Sequence, residues 1–263
     1  MKLPHIETQP LMTVNDVQKL YGINQGCQQV GFQLFPGEVL GIVGESGSGK
    51  STLLSCLSGN NEPDRGEIIY HCATDGDVDL YQMNEARRRL LMRSEFGIVR
   101  QNPRDGLRMR VSAGANVGER LMAVGDRHYG NIRQTAQDWL TQVEIDSQRL
   151  DDMPANFSGG MQQRLQIARV LVTQPRLVLM DEPTGGLDVS VQARLLDLIR
   201  SLVTQMQLSV IMVTHDLAVA RLLCHRLLVM QQSRVVESGL TDQILDDPQH
   251  PYTQLLVSSV LTP

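Results

Sequence analysis

Short apolar runs alternate along the chain with stretches whose apolar residues recur every three or four positions. That alternation predicts strands separated by helices, an α/β fold on a parallel or mixed sheet. Val39–Val43 reads as a strand running into a glycine loop, and Leu177–Met180 as a strand ending at two carboxylates. Val210–Thr214 and Leu227–Met230 are two further strands, and Phe96–Arg100 is strand-like. Unbroken apolar runs suit strands buried on both faces. The middle of the chain differs. Asn84–Arg93, Ala115–Met122 and Asn131–Glu144 read as helices, the last through Ile132, Ala136, Trp139, Leu140 and Val143. The segment from about 84 to 159 is therefore read as a mostly helical lobe inserted into an α/β core, within one domain spanning 1–263.

Composition narrows the class. Hydrophobic residues make up 41% and charged residues 20% of 263 positions, an ordinary globular balance, and the net charge of −5 argues against a nucleic-acid partner. No run approaches the ~20 apolar residues of a membrane helix. Met1–His5 is not followed by the apolar stretch of a signal peptide. A cytoplasmic location is expected, with any membrane link made through a partner. The four cysteines, Cys27, Cys56, Cys72 and Cys224, form no CxxC pair. His71-Cys72 and Cys224-His225 stand as candidate ligand pairs against the simpler reading of small side chains in a reducing compartment.

Three segments carry chemistry. Gly44-Glu45-Ser46-Gly47-Ser48-Gly49-Lys50-Ser51-Thr52 fits G-x-x-x-x-G-K-[ST] between a strand and a helix. Glycines there let successive N–H groups face a phosphate, and the helix N-terminus adds a favourable dipole. Lys50 can reach the β- and γ-phosphates and the Ser51 hydroxyl can ligate Mg²⁺. Asp181-Glu182 closes the second segment. Alone it would be a solvated strand end. Joined to the glycine loop, Asp181 reads as a metal-shell carboxylate and Glu182 as the base for an attacking water. Ser158-Gly159-Gly160 opens a helix whose apolar face is Ile167, Ala168, Leu171 and Val172. It reads either as a simple serine cap or as bare N–H groups open to an outside anion.

With these segments the chain resembles the ABC ATPase family. Phe157–Gln163 resembles the family signature, with Phe157 for the usual Leu and Met161 for the usual Gln. The resemblance implies a P-loop NTPase fold with a RecA-like core, an antiparallel β subdomain and the inserted helical lobe. It implies ATP and Mg²⁺ as ligands. Tyr21 would stack on adenine, Gln101 would touch the metal, and His215 would contact the γ-phosphate. Asp188, in Gly185-Gly186-Leu187-Asp188, would belong to the D-loop, and Ser158, Gly159 and Gly160 would meet nucleotide held by a second subunit. One chain carries one cradle and one signature, so a second ABC subunit, identical or homologous, is implied.

A narrower resemblance is to the ATP-binding subunits of the bacterial carbon–phosphorus lyase system. It is carried by Gly106–Arg108, Val111–Gly114, Gly118–Met122, Arg127–Gly130, Gly185–Arg194 and the tail His250–Leu256. Peptide-importer ATPases have a similar tail. This resemblance implies an ATPase that associates with the lyase core complex and leaves bond cleavage to a partner, since no cysteine cluster fits an iron–sulfur centre. The alternatives are the ATPase of a peptide-type importer and a nucleotide-dependent assembly module.

The family pattern leaves one feature unabsorbed. Arg87, Arg88, Arg89, Arg93, Arg100, Arg104, Arg108 and Arg110 crowd one segment of an acidic chain with only three lysines. The arginines flanking Gln101, especially Arg104, Arg108 and Arg110, are read either as a docking face for an acidic partner or as a solvated charged face.

Overall fold

The structure is a computed structural model that describes residues 9–22, 25–72 and 76–260. The reading of Met1–His5 lies outside them. The chain begins with β1 (Met12–Gly22), β2 (Gln25–Leu34), β3 (Val39–Val43), α1 (Lys50–Leu57), β4 (Arg65–Cys72), β5 (Gly76–Asp79) and α2 (Glu85–Ser94). It continues through β6 (Phe96–Val99), α3 (Ala113–Ala123), α4 (Tyr129–Gln142), α5 (Gly159–Leu171), β7 (Leu177–Asp181) and α6 (Val189–Met206). It ends with β8 (Ser209–Val213), α7 (Leu217–Leu223), β9 (Arg226–Gln231), β10 (Arg234–Leu240), α8 (Thr241–Asp246) and α9 (Pro251–Val260). Two compact units result, Met1–Arg89 with Gln207–Pro263, and Leu90–Met206.

The first unit holds an antiparallel sheet in the order β2-β1-β4-β5, and strands β10-β9-β3-β8 lying side by side. β3 runs parallel to β8 and β9, while β10 pairs antiparallel with β9. All five residues of β3 and all five of β8 are buried, as their unbroken apolar sequences require. β1 escapes a simple periodicity reading. The residues Met12, Val14 and Val17 are buried, but the register shifts between Val14 and Val17, where Asp16 has φ 47°. An inserted residue of this kind flips the inward face and breaks the alternation that marks a strand.

In the second unit β6 and β7 pair in parallel. A Cβ on Gly97 of β6 would lie 2.4 Å from Val170 Cγ1, so the absent side chain is what admits α5 against that strand. Helices α3, α4 and α5 share a core that includes Val117, Ile132, Ala136, Trp139, Leu140 and Leu165. α6 buries Leu195, Leu198, Ile199 and Leu202, one stripe at helical spacing. Each fully buried aliphatic side chain of that stripe contributes about 1.5–3 kcal/mol.

Candidate functional site

In the first unit, buried β3 delivers the chain to Gly44 and α1 starts at Lys50. Two glycines of the loop are dictated by close backbone. A Cβ on Gly44 (φ 148°) would fall 2.2 Å from the Met230 carbonyl oxygen, and one on Gly49 (φ 104°) 1.9 Å from that of Gly26. The Lys50 ammonium is buried and donates to the carbonyls of Gly44 and Glu45, both at 2.8 Å, with Ser48 Oγ at 3.5 Å. The loop curls around its own cation. Glu45, Ser46, Gly47 and Ser51 are exposed, Thr52 is half-buried, and nothing lies within 4 Å of the position a Gly47 Cβ would take. An ammonium, a hydroxyl and a helix N-terminus around open space fit a phosphate with its magnesium ion.

Tyr21 ends β1, 58% exposed, with its hydroxyl accepting from Asn61 Nδ2 at 2.6 Å. An exposed ring at a strand end is available for stacking. His215 is exposed two residues past the end of β8. The next residue, Asp216, caps α7 by accepting from the N–H groups of Ala218 and Val219, which fixes the turn that presents the imidazole.

In the second unit, β7 buries Leu177 through Met180 and leaves Asp181 half-buried at its end. Glu182 follows with φ 40°, a left-handed conformation that costs a non-glycine residue about 1–3 kcal/mol. Its carbonyl accepts from Gly185 N–H at 2.9 Å, and its carboxylate accepts from Gln101 Nε2 at 2.9 Å. Ser158 Oγ accepts from Met161 N–H at 3.3 Å, so the serine caps α5. A Cβ on Gly160 would meet Val191 Cγ1 at 2.5 Å, which explains the second glycine by the approach of α6. Asp188 is exposed, and its carbonyl starts α6 by accepting from Val191 and Gln192. A cavity of about 330 Å³ is lined by Gln101, Arg104, Phe157, Gly159, Gln163 and Leu187 among others. The glutamine, the signature start and the D-loop thus border one space, far apart though they are in sequence.

Three supports here were not read from the sequence. Gln166 is fully buried. Its Oε1 accepts from Arg100 N–H at 2.8 Å while its Nε2 donates to the Arg100 carbonyl at 3.1 Å and to Gln163 Oε1 at 3.2 Å. Helix α5 thereby clamps the backbone one residue before Gln101, and Gly106 lacks a side chain because a Cβ there would lie 2.2 Å from Gln166 Oε1. Asn116, also fully buried, accepts from Arg108 N–H and donates to the carbonyls of Arg108, Val111 and Ser112. Arg149 lies 4.5 Å over the Phe157 ring, pairs with Asp152 at 2.7 Å and donates to Met161 Sδ at 3.4 Å. Both unusual signature residues, Phe157 and Met161, therefore contact the same guanidinium.

The histidine–cysteine pairs serve the fold. His71 bonds Thr13 and Asp77, and His225 Nδ1 accepts from Val39 N–H at 2.9 Å. Burial holds His225 below the usual imidazole range and pushes the Cys224 thiol up to about 12. Among the described residues no three His, Cys, Asp or Glu side chains group to hold a metal, and no helix is long and apolar enough to cross a membrane.

Comparison with known proteins follows the same lines. Residues 27–185 match the ABC transporter family model, and residues 236–263 match the C-terminal region of oligopeptide/dipeptide transporters. The phosphonate-utilisation ATP-binding protein PhnK of Escherichia coli K12 is 66% identical over 253 residues, covering 96% of this chain and 98% of PhnK. The dipeptide transport ATP-binding protein DppF of the same organism is 36% identical, covering 95% and 76%. The dimeric post-hydrolysis structure of the ATP-binding cassette MJ0796 with ADP and Pi superimposes with a TM-score of 0.76 at 27% identity, over 88% of this chain and 98% of that one. The chain belongs to the ABC transporter family, as an ATP-hydrolysing cassette.

Proposed function

We propose that this ATPase works in the cytoplasm as the nucleotide-driven subunit of a phosphonate-utilisation machine, docked on a carbon–phosphorus lyase core complex whose other subunits cleave the bond. The observation that carries the reading is the 66% identity to PhnK across almost the whole length of both chains. No nucleic acid and no direct membrane insertion enter this reading.

In the proposed cycle the Gly44–Thr52 loop holds the phosphates of ATP, Lys50 exchanging its bonds to the Gly44 and Glu45 carbonyls for phosphate oxygens. Tyr21 stacks on the base. Ser51, Gln101 and Asp181 are the residues that would hold Mg²⁺, which when bound neutralises phosphate charge. Glu182 orients the attacking water and takes its proton. Its Oε2 accepts from Gln101 Nε2 at 2.9 Å, which ties the proposed base to the proposed metal-shell glutamine. Lys50 and His215 stabilise the charge that spreads in phosphoryl transfer.

A second ABC subunit completes the machine. The similar MJ0796 cassette is dimeric in two solved structures, and we propose that Ser158, Gly159, Gly160 and Asp188 of one protomer meet the nucleotide of the other. The segment 84–159 serves as the helical lobe that reports nucleotide state. Arg104, Arg108 and Arg110 are all exposed, and Arg108 already pairs with Glu119 at 2.7 Å. The docking face is therefore assigned to Arg104 and Arg110. Reversing them together (Arg104→Glu with Arg110→Glu) is expected to abolish co-purification with the lyase core and leave ATP affinity unchanged. Undiminished co-purification would reject the face.

A second reading, the ATPase of a peptide importer, is favoured by the match of residues 236–263 and by the similarity to DppF. Affinity purification from cells growing on a phosphonate separates the two. Soluble lyase subunits support the first reading, and integral membrane permeases the second.

A further inference from the structure

The carboxy-terminal segment is joined to the phosphate loop. Tyr252, in the first turn of α9, is 9% exposed, and its hydroxyl accepts from Glu45 N–H at 2.9 Å. The segment around it is built to aim that hydroxyl. Glu237 of β10 accepts from the N–H groups of Gln249 at 2.8 Å and His250 at 3.0 Å. His250 Nδ1 accepts from Tyr252 N–H at 3.1 Å, Pro251 opens the helix where no N–H is needed, and Thr253 is fully buried. Burial pushes the Glu237 carboxyl up, but the backbone donors of Gln249 and His250 hold it below the usual range, so the anchor stays ionised at neutral pH. Burial also pushes the Tyr252 hydroxyl up, so it stays neutral and accepts through an oxygen lone pair.

Glu45 is the second residue of the loop, and its carbonyl is one of the two that hold the Lys50 ammonium. The same loop is fixed elsewhere by backbone alone, through Ser233 N–H to the Ser48 carbonyl at 3.1 Å. We propose that Tyr252 is a positioning residue for the phosphate loop, and that β10 and α9 form a strut setting nucleotide affinity through the Glu45 amide. The hydroxyl ties down the first turn of the loop, whose Glu45 carbonyl in turn accepts from Ser48 N–H at 3.2 Å. The motif His250-Pro251-Tyr252-Thr253 then has a physical reason: cap, helix start, contact and buried anchor in consecutive positions.

The inference rests on the ATP-binding reading of the loop. Tyr252→Phe keeps the ring and removes only the acceptor. It is expected to raise the Kd for ATP and for ADP by the same factor, roughly three- to tenfold, the worth of one hydrogen bond. KM should rise in parallel, kcat should change less than twofold, and the melting temperature should stay within about 2 °C, because the ring still fills its site. Amide hydrogen exchange at Glu45 should accelerate in the same variant. Unchanged nucleotide affinity with unchanged Glu45 exchange overturns the proposal, as does a loss of melting temperature with affinity intact, which marks a packing role alone. The wild-type protein titrated alongside separates the two layers: if it fails to bind ATP, the nucleotide reading of the loop is at fault and not the strut.

Discussion

The phosphate loop and the Gln101–Glu182 region reach their geometry by opposite routes. The loop is nearly self-sufficient. Nine consecutive residues supply the turn, the cation and the helix start, and Lys50 is held by carbonyls five and six positions away. Gln101 and Glu182 are 81 residues apart, and Gln101 is not placed by its own neighbours. Gln101 sits where it does because Gln166 grips Arg100 from another helix, and Glu182 sits at φ 40° because the turn to Gly185 holds it there. The first region answers mainly to its own residues, with the Tyr252 hydroxyl on the Glu45 amide as its contact from outside. The second is sensitive to polar side chains that touch no substrate.

Substitutions that break this contrast rank by size. Glu182→Gln should lower kcat by roughly a hundred- to ten-thousandfold, the worth of a positioned general base, and trap ATP on the protein. A radiolabelled-phosphate release assay reads it. Gln166→Leu keeps the volume of the side chain and strips the Arg100 amide of its partner, so about 1–3 kcal/mol of stability should be lost in urea unfolding. Turnover should fall with it while ATP affinity holds, because the loop is untouched. Arg149→Ala removes a cation–π contact and a partly exposed ion pair, which together contribute about 1 kcal/mol. The loss should shrink when Phe157 is leucine, and a double-mutant cycle measures that. The smallest effect is from pH. His225 is held below its unfolded value by burial, so the unfolded chain binds the extra proton first as pH falls. Stability should therefore be full above about pH 6.5 and decline below it. His225→Gln should flatten that slope in thermal melts at several pH values.

The same contrast separates what could be read from the sequence from what could not. β3, β7, β8 and β9 are legible because burial on both faces leaves unbroken apolar runs. In the antiparallel sheet Val30, Phe32 and Leu34 of β2 alternate, but β1 does not, because Asp16 sits at positive φ and its register against β2 shifts there. At the site, Lys50 and Ser51 announce themselves by spacing. Gln166 and Asn116 do not, since a buried amide in a helix looks on paper like a surface one. Phe157 and Met161 read as departures from a signature until Arg149 is seen against both. Tyr252 was visible as part of a tail motif, but its bond to Glu45 crosses 207 positions and follows only from the packing of the strands between them.

The account depends most on Lys50 as the phosphate-binding cation of the loop. Equilibrium binding of ATP to the Lys50→Ala variant, with folding checked by its melting curve, tests this directly. The account predicts a folded protein whose ATP affinity drops by at least roughly a hundredfold, as expected when a charged contact to phosphate is removed. A folded variant that binds and hydrolyses ATP like the parent contradicts it.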